Sequence, residues 1–186
     1  GHISGRKWWK VVLNGWLMAE AARMDHRGYE GENRFLVKEG DVHMFMGEYS
    51  HTIDAKGRMI IPSKFREKLG EEFVLTKGLD GCLSIYPKDE WKNFEEKLKA
   101  LPLNDKNARA FLRFFVASAT MCELDRQGRI LVPQTLREFA GLNKDVVLTG
   151  NLTRIEVWSK EKWLENSNYE DMDAIAQGMQ DMGIVI

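Results

Sequence analysis

An apolar triplet occurs twice in the chain in the same polar setting. Met59-Ile60-Ile61 and Ile130-Leu131-Val132 each follow an Asp-x-x-Gly-Arg segment, and each ends at a proline, Pro62 or Pro133. At a constant offset of 71, residues 54–70 and 125–141 share seven identities in 17 positions. Asp54, Gly57, Arg58, Pro62, Arg66, Glu67 and Gly70 match Asp125, Gly128, Arg129, Pro133, Arg137, Glu138 and Gly141. Val74-Leu75-Thr76 then matches Val147-Leu148-Thr149, and Trp91 matches Trp163, with only small insertions between the copies. This is an internal duplication. Two copies are too few for a solenoid and suit two half-domains related by a pseudo-two-fold axis.

Each copy predicts the same elements. A strand rich in β-formers comes first, over 48–53 and 120–124. A tight turn follows, with glycine where φ is positive. The apolar triplet forms a second strand. Proline stops it and opens a short helix, over 63–69 or 134–140, because the first helical turn needs no amide donor. Gly70 and Gly141 sit at C-cap positions. Two more strands follow, over 73–76 and 82–86 in the first copy and 146–149 and 154–158 in the second. A helix comes next, with Trp91, Phe94 and Leu98 on one face of the first copy. Another helix starts at Asn104 or Asp105, with Ala108, Phe111, Leu112 and Phe115 as its apolar face. Met172, Ile175, Met179 and Met182 predict a last amphipathic helix that packs on its own chain or docks on a neighbour. Four short strands and one small helix bury too little alone, so the two copies are expected to interleave their strands into one barrel.

These elements divide the chain into a first repeat over 44–98, a connecting helix over 99–118, a second repeat over 119–165 and an acidic helical tail over 166–186. Residues 1–43 read differently. They hold Trp8, Trp9 and Trp16, half of the six tryptophans, and no sustained period. A signal peptide fits poorly, because Asn14 and Gly15 interrupt its apolar stretch. Lys38-Glu39-Gly40 can be encoded by a ribosome-binding sequence, with Met44 at a suitable distance. The expectation is a native start at Met44 and a leader or cloning-derived extension before it, outside the fold.

Composition narrows the classes. Apolar residues make up 44% and charged residues 30% of 186, a globular balance. No apolar run reaches the length of a membrane span. Two cysteines, Cys82 and Cys122, supply neither a zinc knuckle nor a disulfide scaffold. His51 is the single histidine after Met44, so a metal site and histidine base chemistry lack residues. Gly78-Leu79-Asp80-Gly81 reads as a hairpin turn and not a phosphate loop. No nucleophile or acid–base set repeats with the fold. No enzyme, cofactor or metal is therefore expected.

The net charge of −1 conceals a strong asymmetry. Residues 54–70 carry +3 through Lys56, Arg58, Lys64, Arg66 and Lys68, residues 125–141 carry +1 through Arg126, Arg129 and Arg137, and residues 161–186 carry −5. The repeated turn is the basic candidate. Arg58 and Arg129 stand at turn ends, where a planar fork can reach guanine O6 and N7 or a phosphate. Asp54 and Asp125 can pair with them or accept turn amides, so a turn-stabilising salt bridge is the competing reading. Arg66 and Arg137 read equally as DNA contacts or as structural residues on the barrel. Lys64 and Lys68 read as DNA contacts or as a solvated face.

The opening Met44-Phe45-Met46-Gly47-Glu48-Tyr49, the doubled Asp54-Ala55-Lys56-Gly57-Arg58 and Asp125-Arg126-Gln127-Gly128-Arg129, and the settings of Trp91 and Trp158 resemble the MraZ family of bacterial regulators over 44–186. Its wider relatives are swapped-hairpin barrels of the AbrB type. The resemblance implies an α+β fold, a pseudo-two-fold β-barrel with flanking helices. It also implies a cytoplasmic, nucleoid-associated transcription factor that binds double-stranded DNA upstream of its own division and cell-wall gene cluster. Family members form homo-oligomeric rings, octamers or larger. The family's functional arginine falls on Arg58, with Arg129 as its second-copy equivalent. The DNA-binding set expected here is Lys56, Arg58, Lys64, Arg66, Arg126, Arg129 and Arg137, with Asp54, Gly57, Asp125 and Gly128 as the turn motif. The rival expectation is a ring-forming interaction module whose arginines make subunit salt bridges.

Overall fold

A computed structural model describes residues 44–169 and 171–184; the expectations for residues 1–43 lie outside them. The first repeat runs β1 (Glu48–Thr52), β2 (Arg58–Ile60), α1 (Ser63–Leu69), β3 (Glu72–Lys77), a 3-10 turn (Leu79–Gly81) and β4 (Leu83–Pro87). Helices α2 (Lys88–Lys99) and α3 (Lys106–Val116) follow. The second repeat runs β5 (Thr120–Glu123), β6 (Arg129–Leu131), α4 (Gln134–Ala140), β7 (Asp145–Asn151), β8 (Arg154–Ser159) and α5 (Lys160–Asn166), and α6 (Met172–Asp181) ends the described chain.

The fold is α+β, and its two repeats are intertwined. Six strands form one antiparallel sheet in the order β1-β7-β8-β4-β3-β5, and β2 pairs with β6. The first strand of each repeat pairs with the third strand of the other, β1 with β7 and β5 with β3. The pairs β4–β8 and β2–β6 also join the repeats. Met59 faces Ile130 and Ser84 faces Glu156. Both pairs join positions that correspond between the repeats, so the pseudo-two-fold axis passes through them. Edge strands β1 and β5 lead through the repeated turns into β2 and β6, which gives the strands a circular succession.

The core explains why neither repeat suffices alone. One cluster takes Phe45, Met59, Ile61, Phe65, Leu69, Phe73, Leu75, Leu83 and Ile85 from the first repeat. It takes Ile130, Val132, Leu136, Ala140, Leu148, Ile155 and Val157 from the second. Burying such side chains contributes about 1.5–3 kcal/mol each, and most of that requires the partner repeat. Phe65 anchors α1, with Phe45 and Tyr49 edge-on to its ring at 5.6 and 4.9 Å.

Helices cover the two repeats unequally. Over the first, Val74, Tyr86 and Trp91 form a second cluster with Phe94, and Phe94 meets Phe115 of α3 edge-on at 5.1 Å. Thr76 Oγ1 donates to the Phe115 carbonyl at 2.7 Å, fixing α3 on β3. Over the second, Cys82, Val147 and Trp158 pack with Trp163 of α5. Lys162 of α5 donates to the carbonyls of Gly81 and Phe139, one in each repeat, at 3.1 and 3.3 Å.

Both glycines stand at the expected C-caps, and one helix face differs from expectation. Gly70 ends α1 with φ 80° and ψ −175°, whereas Gly141 ends α4 in the left-handed region, with φ 69° and ψ 30°. In the first copy the chain must extend at once into β3, whereas Leu142 and Asn143 give the second copy room for the cap. On α3, Ala108 and Phe115 are buried but Phe111 is 38% exposed. Phe114 is half-buried in its place, edge-on to Phe139 of α4 at 5.8 Å.

Candidate functional site

The two Asp-x-x-x-Arg turns have the same geometry. Asp54 N–H donates to Arg58 O at 2.8 Å and Gly57 N–H to Asp54 O at 2.8 Å, which closes a three-residue hairpin loop. Asp125, Gly128 and Arg129 repeat both bonds at 2.9 Å. Gly57 and Gly128 have φ of 80° and 72°, the left-handed position such a loop places before its second strand.

The aspartate organises the turn and the arginine together. Asp54 Oδ1 accepts the backbone N–H of Lys56 and of Arg58, both at 2.9 Å. Its Oδ2 accepts Arg58 Nε at 2.8 Å and Nη2 at 2.7 Å. Asp125 does the same for Gln127 and Arg129, at 2.8, 2.9, 2.8 and 2.7 Å. Hydrogen bonding from Arg58 and Arg129 holds the two carboxyls at about 2, below the usual aspartate value. The salt bridge and a ligand contact are compatible. The carboxylate engages one side of the guanidinium and fixes its plane, and the end of the fork retains donors.

Register places both arginines on one surface. Arg58 lies opposite Leu131 and Arg129 opposite Ile60. Side chains alternate along a strand, so Met59 and Ile130 turn inward, each 1% exposed. Arg58, Ile60, Arg129 and Leu131 share the outer face, where Ile60 and Leu131 are exposed. Two residues of rise, about 7 Å, separate the arginine positions along the ribbon. The ladder extends past the named strands, since Val132 N–H donates to Gly57 O and Ile61 N–H to Gly128 O, at 2.8 and 3.0 Å. The turns therefore cap opposite ends of one ribbon.

Not every expected residue gathers here. Lys56 and Arg126 are exposed in the turns. Lys64 instead lines a surface hollow beside Met44, Met46 and Tyr49, and Lys68 donates to the Met44 carbonyl at 2.8 Å. Arg66 and Arg137 do reach the turns, but each packs against the turn of the other repeat, Arg66 at Gly128 and Arg137 at Gly57. Sequence reasoning also passed over Ile60 and Leu131 as surface residues. The alternation within each triplet was the available signal.

The thiols lie away from this surface. Burial pushes Cys82 up to about 12 and Cys122 up to about 11. Among the described residues, no His, Cys, Asp and Glu side chains gather in a group that could hold a metal ion, and no helix is long and apolar enough to cross a membrane.

The family model described as "MraZ protein, putative antitoxin-like" matches the chain twice, over residues 44–114 and 115–182. A protein of Clostridium acetobutylicum named transcriptional regulator MraZ is 61% identical over 142 residues, covering 76% of this chain and all of the relative. Relatives of the same name from a Thermoanaerobacter species and from Acetivibrio thermocellus are 61% and 60% identical over 143 residues, with the same coverage.

Proposed function

We propose that this chain, which belongs to the MraZ family, is a DNA-binding transcriptional regulator that reads DNA with the β2–β6 ribbon. One observation carries the reading. The duplicated turns present Arg58 and Arg129 in the same local geometry on the outer face of a two-stranded ribbon, each plane fixed by its own aspartate. The major groove of B-DNA admits such a ribbon, and a fixed guanidinium end matches guanine O6 and N7. Lys56 and Arg126, exposed beside them, supply phosphate contacts. The names of the relatives agree with this role.

The finer proposal follows the family resemblance. The protein acts in the cytoplasm, associated with the nucleoid, on repeated boxes upstream of its own division and cell-wall gene cluster. It does so as a homo-oligomeric ring. Met172 and Ile175 of α6, and Met182 just after it, are exposed at 44, 53 and 49%, an apolar surface suited to a neighbouring copy. A ring multiplies the few phosphate contacts of each subunit and raises avidity on repeated boxes.

The test is binding to its own upstream duplex at several salt concentrations, beside Arg58→Ala and Arg129→Ala. Salt-sensitive binding that exceeds binding to random DNA and falls about tenfold in Arg58→Ala supports the reading. No preference over random DNA in the intact protein sinks it. Exposed Ile60 and Leu131 beside the arginines favour the rival, a protein-interaction surface. Arg58→Glu separates the two: a DNA reader loses DNA and keeps its ring, whereas an interaction module loses the ring.

A further inference from the structure

The position of the α1 and α4 arginines is not explained by packing alone. Antiparallel pairing sets the end of β6 against the start of β2, so Val132 bonds to Gly57. Helix α4 starts just beyond, at Gln134, beside the first repeat's turn. By the same symmetry α1 starts beside the second repeat's turn. The carbonyls of Pro62 and Pro133 accept the backbone N–H of Arg66 and Arg137, both at 3.0 Å, which sets the two arginines one turn beyond their prolines. A Cβ placed on Gly57 would lie 2.8 Å from both Cζ and Nε of Arg137, and one on Gly128 would lie 2.8 Å from Cζ of Arg66. The guanidinium groups therefore lie directly on the turn glycines.

Nε of Arg66 and Nε of Arg137 are both buried with no hydrogen-bond partner. An apolar side chain would cover a glycine without leaving a buried donor unsatisfied. Keeping arginine at both places points to use of the charged end. The swap also evens out the charge. In sequence the first copy is the more basic. In space each turn joins one aspartate to three bases: Asp54 with Lys56, Arg58 and Arg137, and Asp125 with Arg126, Arg129 and Arg66.

We propose, on the basis of the DNA-binding reading above, that each DNA-contacting unit is shared between the repeats. Arg137 braces the Gly57 turn and meets the phosphate beside the base read by Arg58. Arg66 does the same at the Gly128 turn for Arg129. The functional pairs are thus in trans, Arg58 with Arg137 and Arg129 with Arg66.

Double-mutant cycles on the full chain test this, with fluorescence anisotropy on its own upstream duplex over a salt series. The alanine variants are made singly, in the trans pairs, and in the cis pairs Arg58 with Arg66 and Arg129 with Arg137. Each single change is expected to weaken binding about tenfold. Trans doubles should fall at least about threefold short of the product of their singles, whereas cis doubles should equal the product within about twofold. Arg66→Ala and Arg137→Ala should each lower the salt slope by about one per engaged subunit, which a purely structural residue would not do. If the alanine variants melt early, Arg66→Lys and Arg137→Lys replace them. These keep the charge and hence the slope, and still lose the trans coupling. Coupling in cis, or additivity throughout, overturns the trans assignment and leaves the DNA-binding reading standing. An intact protein without preference for its own DNA overturns both.

Discussion

Arg58 donates from both Nε and Nη2 to the same carboxylate oxygen of Asp54, at 2.8 and 2.7 Å. The other oxygen of Asp54 accepts two turn amides. One side chain thus sets both the loop and the aim of the arginine. Asp54→Ala should weaken binding to the protein's own DNA about tenfold, the scale of one good base contact. The melting temperature should fall by only about 2–5 °C, because the pair is exposed. Anisotropy and calorimetry on one preparation check both. A large melting change with unchanged DNA affinity would make the aspartate purely structural.

The same bonds determine the acid response. Asp54 and Asp125 are lowered from 3.8 to about 2 in the folded protein. A carboxyl lowered on folding adds stability above its unfolded value, and that contribution disappears as pH falls through the folded value. The turns should stay ordered from neutral pH down to about 4 and loosen as pH falls towards about 2. Carbon-13 carboxyl shifts should give midpoints near 2 for both. In Arg58→Ala, Asp54 should move towards about 4 while Asp125 stays.

Gly57→Ala should destabilise the protein by about 1–2 kcal/mol through the left-handed backbone alone, with an added contribution from contact with Arg137. Combining it with Arg137→Ala should relieve the contact and leave the backbone cost. Urea unfolding of the two singles and the double separates the terms. Strict additivity would show that the arginine does not press on the turn in solution.

Neighbours on the ribbon should respond oppositely. Ile130 is 1% exposed and stands on the pseudo-two-fold axis against Met59. Ile130→Ala should cost about 2–5 kcal/mol, the usual range for a fully buried aliphatic side chain. Ile60→Ala, on the outer face, should stay within about 0.5 kcal/mol. Urea unfolding checks both, and equal losses would mean that the ribbon's inner and outer faces are misassigned.

Cys82 and Cys122 should resist alkylation at pH 8, because burial holds both thiols protonated, at about 12 and 11. Iodoacetamide labelling followed by mass analysis should find both free until denaturant is added. Rapid labelling of Cys122 in the native protein would contradict its packing on β5.

The sequence by itself determined what short-range chemistry decides. Asp and Gly at fixed offsets specify the turn, the apolar triplet specifies a strand, and proline after it specifies a helix start at Ser63 and at Gln134. Duplication announced a pseudo-symmetric pair, because neither half carries enough apolar surface alone. Tertiary structure decided which partner each element meets. Strand pairing joins residues tens of positions apart, and nothing local in β1 says that it bonds β7 and not β3. Antiparallel pairing of β2 with β6 then carries α4 to the first turn and α1 to the second. For that reason Arg66 and Arg137, four residues after their own prolines, each end up on the other repeat's glycine.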